Sequence, residues 1–293
     1  MAGYELEPAS ESSNLGARRD LTFKLPTVVG CDGIWSQVRR HVVGENHPSA
    51  RSGFSKKICF RALIPMEHAR SVLPEPKLAP RFMYNGPDAH LITYPVGMNA
   101  FLNVLVVVSE PEWTQPEGKH VGETKGGSKA KAEAAFRGWH PTPRAVVSLL
   151  PENLDTWAIF DMFENPAPAF RRGRVCVAGD AAHAAGPHLG AGAGLGIEDA
   201  LVLAGVLKKA KEEAEAQDCR VGGPDVGLLL EAALKKYDAA RRPRTQAVVA
   251  HTREAVDLFQ WKEGCGGEEA ETFGREITRR FRNVWENGGL EGW

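Results

Sequence analysis

The stretch from Gly173 to Ala200, GRVCVAGDAAHAAGPHLGAGAGLGIEDA, constrains this chain more than any other. Val175-Cys176-Val177-Ala178 reads as a short buried strand. It delivers Gly179 and Asp180 to a sheet's carboxyl edge, where ligands bind in open α/β folds. A carboxylate there can accept hydrogen bonds from sugar-like hydroxyls. Gly190, Gly192, Gly194 and Gly196 then remove side chains where a helix begins, predicted from about Gly194 to Ala216. A helix start offers free N–H groups and partial positive charge, so a planar, electron-rich ligand could approach the backbone. Taken alone, the run could equally be a loop that only packs tightly. The helix's apolar face is expected at Ile197, Leu201, Ala204 and Leu207.

Elsewhere, hydrophobic period organises the chain. Residues 1–20 are polar and predicted irregular. Val28 and Val29 before Gly30 suggest the end of a buried strand, and Ile34 to Val42 a short helix with Ile34, Val38 and Val42 on one face. Ile58–Ile64, His90–Tyr94 and Phe101–Val108 read as strands, close enough to imply an antiparallel sheet. Residues 115–131 read as an exposed loop, followed by helix near Ala132–Gly138 and Arg144–Leu150, and a strand at Trp157–Phe160. A helix from about Val226 has Leu230, Ala233 and Tyr237 in step. Pro243 should kink or end it, with helix resuming through Val248, Thr252, Ala255 and Phe259.

Bulk properties exclude several classes. With 36 basic and 37 acidic residues the net charge is −1, so nothing argues for nucleic acid. No run approaches the roughly 20 apolar residues of a membrane span. The start, MAGYELEPASESSNLGARRD, has no apolar secretory core, which leads us to expect a cytoplasmic protein. Five scattered cysteines with no CxxC predict reduced thiols and no metal site.

The Gly173–Ala200 string resembles the GD motif of group A flavoprotein monooxygenases, which runs close to GRVxLxGDAAHxxxPxxGxGxxxxxEDA. Gly30-Cys31-Asp32-Gly33-Ile34-Trp35-Ser36-Gln37-Val38-Arg39 resembles that family's DG motif, GADGxxSxVR. Cys59-Phe-Arg-Ala-Leu-Ile-Pro65 and His90-Leu-Ile-Thr-Tyr-Pro-Val96 resemble substrate-domain strands of its salicylate-hydroxylase-like members. The resemblance covers about residues 27–262. It implies an α/β protein: a partial Rossmann-like domain binding FAD and NAD(P)H, an antiparallel substrate sheet and C-terminal helices. The expected division is 1–53, a remnant of the FAD-binding domain with the DG motif; 54–170, the substrate sheet; 171–216, the GD motif and its helix; and 217–293, a helical region.

The implied activity is hydroxylation of a small aromatic compound, phenolic or salicylate-like, with FAD as cofactor, NAD(P)H as co-substrate and O2, in secondary metabolism. Asp180 with Gly179 would hold the ribityl chain, and Pro187, Gly190, Ala191, Gly192 and Ala193 would line the flavin ring. Asp32, Gly33 and Arg39 would approach the FAD pyrophosphate and the nicotinamide, Arg39 as a cation reaching phosphate. Arg61 and Tyr94 would contact substrate, an Arg pairing with phenolate or carboxylate and a Tyr hydroxyl adding a hydrogen bond. His183 and His188 could cap, pack or carry protons; Asp161 reads as structural or flavin-side; the arginines of Tyr237-Asp-Ala-Ala-Arg-Arg-Pro-Arg244 read as a solvated helix end.

The resemblance also implies that the family's first FAD-binding segment, a strand-turn-helix with GxGxxG, is missing. Residues 1–29 are too few for that unit, which takes roughly 30 residues or more. Apolar faces around Val28 and Val175 would then lack partners, FAD affinity would fall, and the alternative reading is a catalytically inactive remnant.

Overall fold

A computed structural model describes residues 26–112, 123–219 and 223–286 of the 293. In chain order the elements are β1 (Val28–Gly30), α1 (Gln37–Val43), β2 (Gly53–Pro65), α2 (Met66–Arg70), β3 (Phe82–Gly86), β4 (Ala89–Val96), β5 (Phe101–Ser109), β6 (Glu123–Ser128), α3 (Lys129–Ala135), α4 (Pro141–Ser148), β7 (Asn153–Asp161), β8 (Arg171–Arg172), β9 (Val175–Val177), α5 (Asp180–His183), α6 (Gly192–Ala216), α7 (Pro224–Phe259) and α8 (Ala270–Trp285). The described residues fall into two units. One takes those of Met1–Gly53, Asp161–Ala250 and Asn283–Trp293; the other takes Phe54–Phe160 and His251–Arg282.

The first unit is built on a three-stranded sheet in the order β1-β9-β8. β1 and β9 are parallel, with Val28 opposite Val175 and Gly30 opposite Val177. Val38 and Val42 of α1, Val202, Leu203 and Val206 of α6, and Ala233, Leu234 and Tyr237 of α7 close over β9. Gly30 lets α1 approach: a Cβ there would lie 2.4 Å from Val38 Cβ, a collision. α1 starts later than its apolar period suggests, at Gln37, because Ser36 caps it and Ile34 packs on the same core from the preceding turn. Val175 is fully covered, contrary to the expectation drawn for it, whereas Val29 on the edge strand β1 remains 37% exposed.

Two helices depart from the expected pattern. α6 turns Leu195, Val202, Leu203 and Val206 inward, while Ile197 is 72% exposed and Leu201 46%. The helix carries two apolar stripes; this unit buries one, and period alone cannot choose between them. α7 does not end at Pro243. Its neighbours hold it in place: Arg241 and Arg244 are ion-paired to α6, and Gln246 Nε2 donates to Ala167 O at 2.7 Å. Tertiary partners offset the one helical hydrogen bond that proline removes.

The second unit is a six-stranded sheet in the order β3-β4-β5-β2-β7-β6. The strand pairs with described register are antiparallel, so the α/β expectation with an antiparallel sheet and C-terminal helices holds. Alternation sorts the two faces. Ile58, Phe60, Leu91, Leu102, Val104 and Val106 point one way and are covered by Met66 and Ala69 of α2, Ala132 of α3, Phe136 beyond it, and Val146 and Val147 of α4. Each such fully buried side chain stabilises by about 1.5–3 kcal/mol.

The part of the expected 115–131 loop that lies within the described residues is instead β6 and the start of α3; residues 115–122 lie outside them. Its glycines misled the reading. β6 is an edge strand whose register slips between Lys125 and Gly127, a bulge of the kind glycine permits. No helix among the described residues is long and apolar enough to cross a membrane. All five cysteines are free thiols, and burial pushes Cys59 and Cys176 up to about 12.

Candidate functional site

In the first unit, β9 hands over to Gly179, whose φ of +61° favours glycine, and the chain then enters α5 with Asp180 exposed. Three buried charges hold this turn. Asp199, 0% exposed on α6, accepts from the Gly179 N–H at 2.8 Å, from His183 Nε2 at 2.6 Å and from Arg241 Nε at 2.7 Å. Burial would raise its carboxyl, but the hydrogen bonds from His183, Arg241 and Gly179 outweigh that and hold it below the ordinary carboxylate range. Arg241 is itself 2% exposed and also pairs with Glu198 at 2.7 Å, so the expected solvated helix end is a buried ion network. On the other side, Arg39 donates to Ala181 O at 2.9 Å, Ile34 O at 2.6 Å and Ser49 O at 3.1 Å.

Arg39 is thus 0% exposed and engaged on carbonyls, with its guanidinium turned away from solvent. Asp32 is engaged too. Its carboxylate accepts from Ser36 Oγ at 2.5 Å and from the N–H groups of Gln37 and Val38 at 2.7 and 3.2 Å, which satisfies the start of α1. Gly33, at φ +76°, makes the intervening turn. The DG and GD segments therefore meet through Arg39 and the α5 carbonyls rather than through an exposed cation.

What is left open is backbone. Gly190 is at φ +65°, so its conformation calls for glycine. Gly192 and Gly194 are different: their φ is ordinary, and a Cβ on either would meet nothing within 4 Å. Glycine in a helix costs about 1 kcal/mol relative to alanine. Neither packing nor conformation asks for it here, so the clearance suits a flat group lying on the backbone. Ala191 caps α6 without a side-chain hydrogen bond, leaving the first N–H groups available. Pro187, Gly190 and Ala193 are exposed and Ala191 is buried. This cradle fits a flavin ring, and the exposed Asp180 carboxylate fits a polyol chain. His183 and His188 are both buried, His183 against Asp199. Asp161 is buried and accepts from Phe163 N–H at 3.1 Å, a structural turn.

In the second unit the sheet's other face carries Cys59, Val107 and Ile159. At one end Phe259 packs on His90, and a buried chain runs from Lys57 Nζ to Ser109 Oγ (2.8 Å) and on to Gln260 Oε1 (3.0 Å). Burial, then the Lys262 charge, pushes the Lys57 ammonium down to about 8. Towards β4 and β5 this face holds Arg61, Leu63, Leu105, Ile92 and Tyr94, with Leu63 53% exposed. Arg61 is exposed, its Nε donating to Asn103 Oδ1 at 3.0 Å; Tyr94 lies directly opposite Asn103, and the Arg81 guanidinium sits 5.7 Å from the Tyr94 ring. Arg61 and Tyr94 are therefore neighbours around an amide that sequence reasoning passed over. The signal was there: Asn103 is the one amide in the apolar run LNVLVVV. Asp199 was visible within the motif but carried no assigned role.

Comparison with known proteins follows the same lines. The model of the FAD binding domain family matches residues 14–252. The FAD-dependent monooxygenase orf3 of Aspergillus niger is 40% identical over 285 residues, 96% of this chain and 63% of that protein. The salicylate hydroxylase asL1 of Sarocladium schorii is 40% identical over 267 residues, 89% of this chain and 55% of that protein. The chain thus spans only about three fifths of the length of these relatives. Among solved structures, a salicylate hydroxylase substrate complex superposes with a TM-score of 0.77 at 24% identity, over 92% of this chain and 64% of that one, and so shares the fold.

Proposed function

We infer, because this chain belongs to the FAD binding domain family, that it carries the flavin-holding and substrate-holding residues of an FAD-dependent monooxygenase. Its reaction is hydroxylation of a phenolic or salicylate-like ring with NAD(P)H and O2 as co-substrates. The observation that carries this reading is the pair Gly192 and Gly194, which weaken a helix start and leave its backbone clear with no packing reason. FAD, when bound, supplies the redox chemistry that side chains cannot. The chain binds and orients. Asp180 accepts hydrogen bonds from the ribityl hydroxyls; Gly192 and Ala193 offer backbone N–H groups and the positive end of α6 to the electron-rich ring, with Pro187, Gly190 and Ala191 alongside. On the sheet, Arg61 pairs with a phenolate or carboxylate and Tyr94 adds a hydroxyl hydrogen bond. Leu63, Leu105 and Ile92 around them exclude water from the ring. The salicylate hydroxylase among the relatives supports an aromatic substrate.

A second reading is favoured by the exposed Ile197 and Leu201 and by β1 standing at the sheet edge among the described residues: the chain holds FAD weakly or not at all and is catalytically silent. Titrating the chain into FAD while following flavin fluorescence, then adding NADPH or NADH with salicylate and other phenols, separates the two. Saturable quenching with phenol-stimulated NAD(P)H oxidation and a hydroxylated product is the expected result. Quenching without turnover, or no quenching at any concentration, supports the second reading and overturns the first.

A further inference from the structure

Asn103 sits on β5 at 1% exposure, between Leu102 and Val104, both 0% exposed. Burying an amide among such neighbours is unfavourable unless its polar atoms find partners. Its Oδ1 accepts from Arg61 Nε at 3.0 Å. A guanidinium is a planar fork of five N–H donors, so fixing Nε fixes the plane of the whole group. The two terminal nitrogens of Arg61 have no partner among the described residues, although the side chain is exposed. Its neighbours on that face of β2, Cys59 and Leu63, offer no acceptor. An oriented pair of donors beside apolar side chains is a site for a two-oxygen anion, since carboxylate and guanidinium pair in parallel fork-to-fork geometry. Tyr94, across the strand from Asn103, and Arg81 over its ring add a hydroxyl and a second positive charge on the same side.

We propose that Asn103 is a positioning residue. It holds the Arg61 guanidinium so that both terminal nitrogens face the anionic group of an aromatic substrate, and it thereby sets the preference for anionic over neutral rings. This rests on the reading that the open sheet face holds the substrate, and it goes beyond that reading by assigning selectivity to a buried amide that touches no ligand.

The test is a binding comparison on the full chain, loaded with FAD where it retains it. The probes are salicylate and its neutral analogue salicylamide, and the readout is calorimetry. Wild type should favour salicylate. Asn103→Leu, which keeps volume in an apolar setting, and Asn103→Ala should each weaken salicylate about tenfold, the equivalent of roughly 1.4 kcal/mol, and leave salicylamide within about twofold. Arg61→Ala should do the same, and the double variant should be no worse than Arg61→Ala alone, because Asn103 works only through Arg61. A merely structural role would weaken both ligands alike.

The outcomes separate two failures. If Arg61→Ala leaves the salicylate-to-salicylamide ratio unchanged, or wild type binds neither, the reading of this face as the substrate site is wrong. If Arg61→Ala collapses the ratio but the Asn103 variants do not, or if the two effects multiply in the double variant, the role given to Asn103 is wrong. Should neither Asn103 variant fold, the Arg61 Nε–H resonance of wild type decides. Protection from solvent exchange and a shift on adding salicylate support the proposal; exchange at the rate of a free guanidinium overturns it.

Discussion

Around Gly179 the charged side chains of Asp199, Arg241 and Arg39 are buried and engaged, whereas on the open face of the six-stranded sheet Arg61 is exposed with donors to spare. In the first region Asp199, Arg241 and Arg39 shape a turn, and what stays accessible includes the backbone at Gly190, Gly192 and Gly194 and the Asp180 carboxylate. In the second the backbone is consumed by strand pairing, and what stays open is side chains. The residues that a motif makes prominent are therefore not always the ones left without partners in the protein. Asp32 and Arg39 stand out in the DG segment, yet both are engaged on the protein itself.

The largest effect is expected where the first region is held. Asp199→Asn leaves Arg241 and the Gly179 turn without their buried counter-charge, and should destabilise by about 3–5 kcal/mol in urea unfolding. The parent should also show a matching pH limb. The Asp199 carboxyl lies below its ordinary range when folded, so its stabilisation is complete above that range, near pH 4, and is lost as pH falls through the folded value. Asp199→Asn should flatten that acid limb. A variant as stable as the parent would show that the turn does not depend on the buried charge.

Lys57 offers the opposite sign on the sheet. Its only described donor contact is the Ser109 hydroxyl, and its ammonium is pushed down from 10.5 to about 8. A base with a lowered folded value binds its proton less well folded than unfolded. It therefore destabilises at neutral pH, and that penalty fades as pH rises from about 8 to 10.5. Lys57→Met should gain about 1–3 kcal/mol at pH 7, with the gain vanishing by the upper end of that window. Thermal melts of both proteins across pH 6 to about 10.5 check it; a constant difference would mean the charge is better paired than its geometry indicates.

Gly192→Ala and Gly194→Ala sharpen the contrast between backbone and side-chain recognition. Without flavin each should raise stability by about 0.5–1 kcal/mol, since alanine favours helix and meets no neighbour. With flavin each should weaken affinity about tenfold, read by fluorescence titration. Gains in both would mean the cradle binds nothing flat.

Legibility in the sequence divides along the same line. Strands such as Ile58–Ile64 and Phe101–Val108 could be read because they are apolar, β-branched runs ended by turn residues, and both lie in the buried core of the sheet. The glycines stood out in the sequence, but only the structure separates Gly190, held by its φ of +65°, from Gly192 and Gly194, where a Cβ would meet nothing within 4 Å. β6 could not be read, since a bulged edge strand of Thr, Lys and Gly has the composition of a loop. The buried face of α6 could not, because two apolar stripes compete on one helix. Arg241 was hidden among neighbouring charges, its partner Asp199 lying 42 positions away. Asn103 needed the cross-strand register, which sets it between Leu63 and Tyr94 and within reach of the Arg61 side chain.

The smallest effects compare the most prominent residue of each region. Asp32 accepts two backbone N–H groups at the start of α1 as well as the Ser36 hydroxyl, so Asp32→Ala should cost about 1 kcal/mol, the usual loss for a helix cap, and Asp32→Asn much less. Arg61→Ala removes an exposed side chain with a single partner and should stay within about 0.5 kcal/mol. Chemical denaturation of the three variants side by side checks the pairing. The contrast would break if Arg61→Ala proved the costlier change, because Arg61 would then be holding the sheet together rather than standing exposed with one described partner.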